Sequence, residues 1–216
     1  MVKSFATKQV KKVSGKYFDY YSYLLQREIL GECETVLDVG CGSSSPIQQF
    51  SEQLEYSVGV DIFGPAVEES RQAGIHNEYS AIDALEAGER FKEKSFDCVL
   101  ALNLIEHLSK EDGLRLITMM EKIAKKKVII FTPNGFLPQG ANENMFQEHL
   151  SGWTSKEMTD LGYRVIGAGG WKGLRRGGEI VWRPKPFWKG VSLLTQVLTR
   201  NYPEHTFYLF CVKEIE

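Results

Sequence analysis

The stretch Thr35-Val36-Leu37-Asp38-Val39-Gly40-Cys41-Gly42-Ser43-Ser44-Ser45-Pro46 constrains the fold of this chain more than any other. Val36, Leu37 and Val39 are strand formers that accept burial on both faces, as a strand inside a parallel sheet requires. Gly40 and Gly42 permit a tight turn and leave no side chain between the backbone and a ligand. Ser45 reads as an N-cap and Pro46 as the first residue of a helix to about Leu54, so that unpaired N–H groups and the helix dipole face the turn. Asp38, at the end of the strand, sets a carboxylate beside it.

A glycine turn between strand and helix is ambiguous alone. A dinucleotide fingerprint asks for G-x-G-x-x-G with a pyrophosphate on the helix N-terminus. Gly40 and Gly42 fit, but the third position is Ser45, and Asp38 would stand near the diphosphate. A carboxylate there suits a cationic ligand better than a dianion. A second strand, Ser57-Val58-Gly59-Val60-Asp61, ends in an acid 23 positions after Asp38. Such an acid can accept both hydroxyls of a ribose. Adenosine with a zwitterionic tail fits the two acids; a nicotinamide dinucleotide fits them poorly.

Val36-Leu37-Asp38-Val39-Gly40-Cys41-Gly42 resembles the first motif of class I S-adenosylmethionine-dependent methyltransferases, and Val58-Gly59-Val60-Asp61 resembles their second. Asp83-Ala84, after a third candidate strand, is similar to the acid that meets the adenine amino group. Ser95-Phe96-Asp97-Cys98-Val99-Leu100-Ala101-Leu102-Asn103-Leu104-Ile105-Glu106-His107-Leu108 resembles the fourth motif and its loop. The four motifs occur in order over about residues 30 to 170. Family members often carry a third glycine where this chain has Ser44. The resemblance implies S-adenosylmethionine held by Asp38, Gly40, Cys41, Gly42, Asp61, Ile62, Asp83, Ala84 and Asn103. Within that set, Asp38 and the glycine turn would meet the methionine part, Asp61 the ribose and Asp83 the adenine.

Strand and helix patterns alternate along the chain, which argues for an α/β fold with a doubly wound parallel sheet. The expectation is a Rossmann-like, mostly parallel seven-stranded sheet with helices on both faces. In the resembled family the last strand is antiparallel and inserted beside the sixth. Asp38, Asp61, Asp83 and Asn103 all fall at or just after carboxyl ends of expected strands, where such sheets bind ligands. One domain is expected over 1–216: an arm and helix to 31, a cofactor-binding core over 32–169, an insert over 170–203 and the last strand over 204–216. The helix from Lys16 to Leu30 carries Tyr17, Phe18, Tyr20, Tyr21 and Tyr23, which either cover the cofactor or pack on the sheet. Lys125-Lys126-Lys127 reads as a solvated helix end, and Ser155 as the cap of a short helix to Leu161.

A formal net charge of −2 gives no general argument for nucleic acid. Cys33, Cys41, Cys98 and Cys211 form no C-x-x-C pair, which suits a reducing compartment. With no signal-peptide core and no apolar run long enough to span a bilayer, a cytoplasmic location is expected.

Methyl transfer needs a base only where the acceptor must lose a proton. The candidates are Glu106 and His107, after the fourth strand, and His149, in the polar loop after the fifth. Some branches of the family carry Glu-x-x-Glu-His there and bind a divalent ion. Here the first carboxylate is replaced by Asn103, a poor ligand for hard ions, so no metal is expected.

In the insert, Lys172, Arg175, Arg176, Arg183, Lys185 and Lys189 face one acid, Glu179, with Trp171, Trp182, Phe187 and Trp188 interleaved. This surface suits an anionic substrate such as a sugar phosphate, a lipid carrier or RNA. Phe187, Val191, Leu194 and Leu198 mark an amphipathic helix that caps the core, makes a dimer contact or meets a membrane surface. The expected function is O- or N-methylation of a small molecule or a glycan or lipid-linked precursor, by a monomer or homodimer that does not act on DNA. RNA methylation and cofactor binding without turnover are the alternatives.

Overall fold

The computed structural model describes residues 20–139, 145–176, 179–180 and 182–216. The expected arm, Tyr17, Phe18 and part of the polar loop after the fifth strand lie outside them. In chain order the strands are β1 Thr35–Val39, β2 Tyr56–Asp61, β3 Glu78–Ala81, β4 Phe96–Leu102, β5 Ala124–Pro133, β6 Arg164–Trp171, β7 Arg175–Arg176, β8 Glu179–Ile180 and β9 Thr206–Glu214. Seven of them form one sheet in the order β3-β2-β1-β4-β5-β9-β6, while β7 and β8 pair as a separate hairpin. β1 to β5 run parallel, and β9 lies antiparallel between β5 and β6. This is the doubly wound sheet with an antiparallel last strand that the motif order implies.

The helices are α1 Tyr20–Ile29, α2 Gly64–Gln72, α3 Ala87–Arg90, α4 Lys110–Ile123, α5 Ser155–Asp160 and α6 Lys185–Thr199. Both faces of the central strands are buried, which is why these strands are apolar without interruption. In β4, Val99 and Ala101 join a core with Leu116, Ile117 and Met120 of α4. Cys98, Leu100 and Leu102 point the other way, to Leu24, Leu25 and Ile29 of α1. All four cysteines are buried free thiols.

Three local expectations are corrected. Pro46 opens two short 3-10 turns, Pro46–Gln49 and Ser51–Gln53, in place of a helix to Leu54, and the Ser45 side chain caps neither. Phe50, buried between the turns, anchors the segment to the core before a second helical turn forms. Lys125, Lys126 and Lys127 belong to β5, because the chain passes from α4 into the strand at Ala124. The pairing with β4 slips by one residue between Ala124 and Lys127; Lys125 and Lys126 are exposed, while Lys127 is buried and its ammonium donates to the Glu28 carbonyl (2.9 Å) and the Glu32 carboxylate (2.7 Å). Finally, Thr154 rather than Ser155 caps α5, in a reciprocal capping box with Glu157.

Candidate active site

At the carboxyl ends of the parallel strands lies a cavity of about 700 Å³. Asp38, Gly40, Cys41, Gly42, Asp61, Ile62, Asp83, Ala84 and Asn103 all stand on its wall. The glycine turn is pinned to the end of β2: the Gly40 and Cys41 N–H groups both donate to the Val60 carbonyl (2.7 and 3.0 Å). Gly40 sits at φ +72°, and a Cβ there would come within 2.8 Å of Leu104 Cδ1, so the position demands glycine. The Gly42 N–H donates to Asp61 Oδ2 (2.9 Å) and the Phe63 N–H to Oδ1 (2.8 Å). Asp61 therefore holds the turn, and each of its oxygens keeps acceptor capacity.

Asp38 is fully buried. Its Oδ2 lies 3.1 Å from His76 Nε2, and its Oδ1 accepts from no donor among the described residues. Sequence reasoning missed His76, which arrives from the loop before β3 with no local pattern to mark it. Asp83 caps the turn Ala84–Glu86 by accepting from the Leu85 N–H (2.9 Å). Asn103 adopts φ +54°, a left-handed conformation that asparagine tolerates, and its N–H is fixed to the Phe131 carbonyl (2.8 Å). Of the α1 tyrosines, Tyr21 reaches the wall, stacked on Phe131 at 3.9 Å between ring centroids. Burial raises the Cys41 thiol well above its ordinary range, with Asp38 and Asp61 adding to the effect, so it stays protonated.

Glu106, His107 and His149 come together, with one ligand-capable atom from each within 4.8 Å of the others. Only His107 of the three lines the cavity. Its Nδ1 donates to the Glu148 carbonyl (3.0 Å), and His149 Nδ1 donates to the Leu137 carbonyl (2.6 Å). Those bonds leave Nε2 of each ring as an acceptor in the neutral form. Burial holds His107 below the usual histidine range, with His149 beside it acting the same way. Glu106 is buried, and burial pushes its carboxyl up to about 7 against the hydrogen bond from Thr132 Oγ1 (2.9 Å). The Glu106 carbonyl accepts from the Leu150 and Ser151 N–H groups (2.9 and 3.1 Å). The loops after β4 and β5 are thereby stitched together behind His107.

Five carboxylates line the cavity (Asp38, Asp61, Glu69, Asp83 and Glu148), and no lysine or arginine does among the described residues. Residues 37–132, which include this turn and both acid-bearing strand ends, match a family model described as a methyltransferase domain. Over that stretch the chain is similar to methyltransferase domains.

The chain resembles an S-adenosylmethionine-dependent methyltransferase from Archaeoglobus fulgidus, with a TM-score of 0.60 and 19% identity over 94% of this chain and 97% of that one. It also resembles magnesium protoporphyrin IX methyltransferase from Synechocystis PCC 6803 with bound S-adenosylmethionine, with a TM-score of 0.55 and 16% identity over 98% of this chain and 84% of that one. At these identities the likeness is one of fold. Among curated proteins it is 27% identical, over 172 residues, to a small RNA 2'-O-methyltransferase of Tetrahymena thermophila. The match takes in 62% of this chain and spans about two-fifths, 40%, of the relative's length. No helix among the described residues is long and apolar enough to cross a membrane.

Proposed function

We propose that this chain is an S-adenosylmethionine-dependent methyltransferase that acts on a hydroxyl or amine of a small molecule or of a glycan or lipid-linked precursor, with His107 as the group that takes the acceptor's proton. The observation that carries this reading is the cavity wall: five acids, apolar and uncharged polar side chains and a single imidazole, with no lysine or arginine among the described residues. Such a wall suits a cationic cofactor and a compact acceptor, and offers no cation to a row of phosphates. Its volume lies within the range of about 300–1,000 Å³ usual for small-molecule sites. The porphyrin-methylating structural neighbour also acts on a small molecule.

S-adenosylmethionine brings an already electrophilic methyl carbon, so alignment supplies much of the rate. In this reading Asp61 accepts the ribose hydroxyls with the lone pairs left by Gly42 and Phe63. Asp38 Oδ1, a buried acceptor without a protein donor, suits the ammonium of the methionine part. Asp83, Ala84 and Ile62 flank the adenine, while Gly40, Cys41 and Asn103 shape the floor. His107, neutral and with its Nδ1 proton committed to the Glu148 carbonyl, receives a proton at Nε2. Glu106 and His149 position it.

The Glu106, His107 and His149 grouping favours a second reading of the same corner. A carboxylate and two imidazole Nε2 atoms are ligands that a divalent transition ion accepts, and an ion there would acidify an acceptor hydroxyl. Exhaustive chelation separates the two readings: undiminished turnover supports His107 acting alone, whereas loss restored by added metal supports the ion. The acceptor class is tested by incubating the protein with methyl-labelled S-adenosylmethionine and cell extract, then separating small molecules, lipids and glycans, RNA and protein. Label among small molecules or lipid-linked glycans is the expected result. Label in RNA, the substrate class in the curated relative's name, would overturn it.

A further inference from the structure

α6 is packed inside out. The face it turns to β6 is polar, and Ser192 and Gln196 are its buried residues. Gln196 Oε1 accepts from the Gly170 N–H (3.0 Å), while its Nε2 donates to the Gly167 carbonyl (2.8 Å). The Trp171 N–H donates to Thr195 Oγ1 (3.0 Å), and Ser192 Oγ donates to the Gly169 carbonyl (3.3 Å). These bonds occupy backbone groups of β6, an edge strand of the sheet, which would otherwise be open to pairing. Gly170, at φ +73°, has no Cβ to keep the Ser192 carbonyl away.

With the polar face committed to the edge, the apolar face looks outward. Phe187, Leu194 and Leu198 are 59%, 71% and 72% exposed, and Val197 beside them 66%. The amphipathic pattern is therefore real, but its apolar stripe does not cap the core. A stripe left uncovered by the described residues marks an interaction surface.

The surrounding charge decides what fits. From Trp182 to Pro203 the chain contains Arg183, Lys185, Lys189 and Arg200 and no aspartate or glutamate. All four cations are exposed. Trp182 and Phe187 pack on Trp188 at the amino end, with centroids 5.5 and 5.3 Å away. A second copy presenting the same segment would bring four more cations and no carboxylate to meet them. RNA would engage the cations and rings but place nothing on Leu194, Val197 and Leu198. An anionic bilayer takes all three features: aliphatic stripe in the acyl boundary, cations on headgroups and tryptophans at the interface.

We propose that α6 and the aromatic residues before it seat the protein on an anionic lipid surface, with the helix lying in the interfacial plane. The inference does not depend on the identity of the methyl acceptor. Its test is co-sedimentation of the full chain with vesicles of phosphatidylcholine alone or mixed with phosphatidylglycerol, at low and high salt. The expected result is pelleting with the mixed vesicles only, released by salt, and a partition coefficient about ten-fold lower or less in L194E/L198E. Both changes are at exposed positions, so that variant should keep the wild-type melting temperature and S-adenosylmethionine affinity. Failure of the wild-type chain to pellet with mixed vesicles would overturn the proposal, as would equal pelleting of L194E/L198E. A dimer in sedimentation velocity that L194E/L198E dissociates, without vesicle binding, would assign the stripe to a second copy and overturn it equally.

Discussion

His107 and Gly40 show how much depends on single residues around the cavity. If His107 takes the proton, His107→Gln should lower kcat by about 10²–10⁴-fold while leaving S-adenosylmethionine affinity unchanged. Steady-state kinetics beside equilibrium titration separate that outcome from misfolding or a weakened cofactor site. Gly40→Ala combines an unfavourable φ with a clash against Leu104, and should cost about 1–3 kcal/mol of stability. Chemical denaturation measures it, and a loss near zero would show that the turn is softer than its hydrogen bonds to Val60 imply.

At the scale of elements, the clamps that set strand register lie opposite the cavity, at the strands' amino ends. Asp97, at the start of β4, accepts from the Glu34 N–H (2.9 Å) and from Lys126 of β5 (3.2 Å). Burial pushes its carboxyl up, but those two partners and Lys125 outweigh it and leave it below the ordinary carboxylate range. A depressed folded-state value contributes stability above the unfolded aspartate value of about 3.9, and that contribution is lost as pH falls through the folded-state value. Asp97→Asn should therefore cost about 1–3 kcal/mol near neutrality, with the gap from wild type closing in acid. Denaturation at several pH values checks it; a gap that stays constant would show that the charge is not responsible. Thr154→Ala removes the capping box of α5 and should cost about 0.5–2 kcal/mol by the same method.

For the whole molecule, the sequence reveals the sheet because the strands of a doubly wound fold are written locally, as apolar runs ending in a polar residue. Asp38, Asp61, Asp83 and Asn103 share a cavity wall because parallel strands bring their carboxyl ends to one side. What the sequence hides is set by long-range packing. The Asp38–His76 pair joins residues 38 positions apart, and Lys127 reads as a surface charge until Glu28 and Glu32 arrive from the other end of the chain. The outward stripe of α6 is illegible for a different reason. Periodicity shows that a helix has two faces, but which face the sheet takes depends on the unpaired edge of β6.

The central claim, that the acid-lined cavity at the strand ends is the S-adenosylmethionine site, is tested most directly by calorimetric titration of wild type and Asp61→Ala. Saturable binding to the wild type is predicted, weaker in Asp61→Ala by about 1.5–3 kcal/mol, the value of hydrogen bonds to a charged group. Equal affinity in the two proteins would contradict the account and move the cofactor elsewhere.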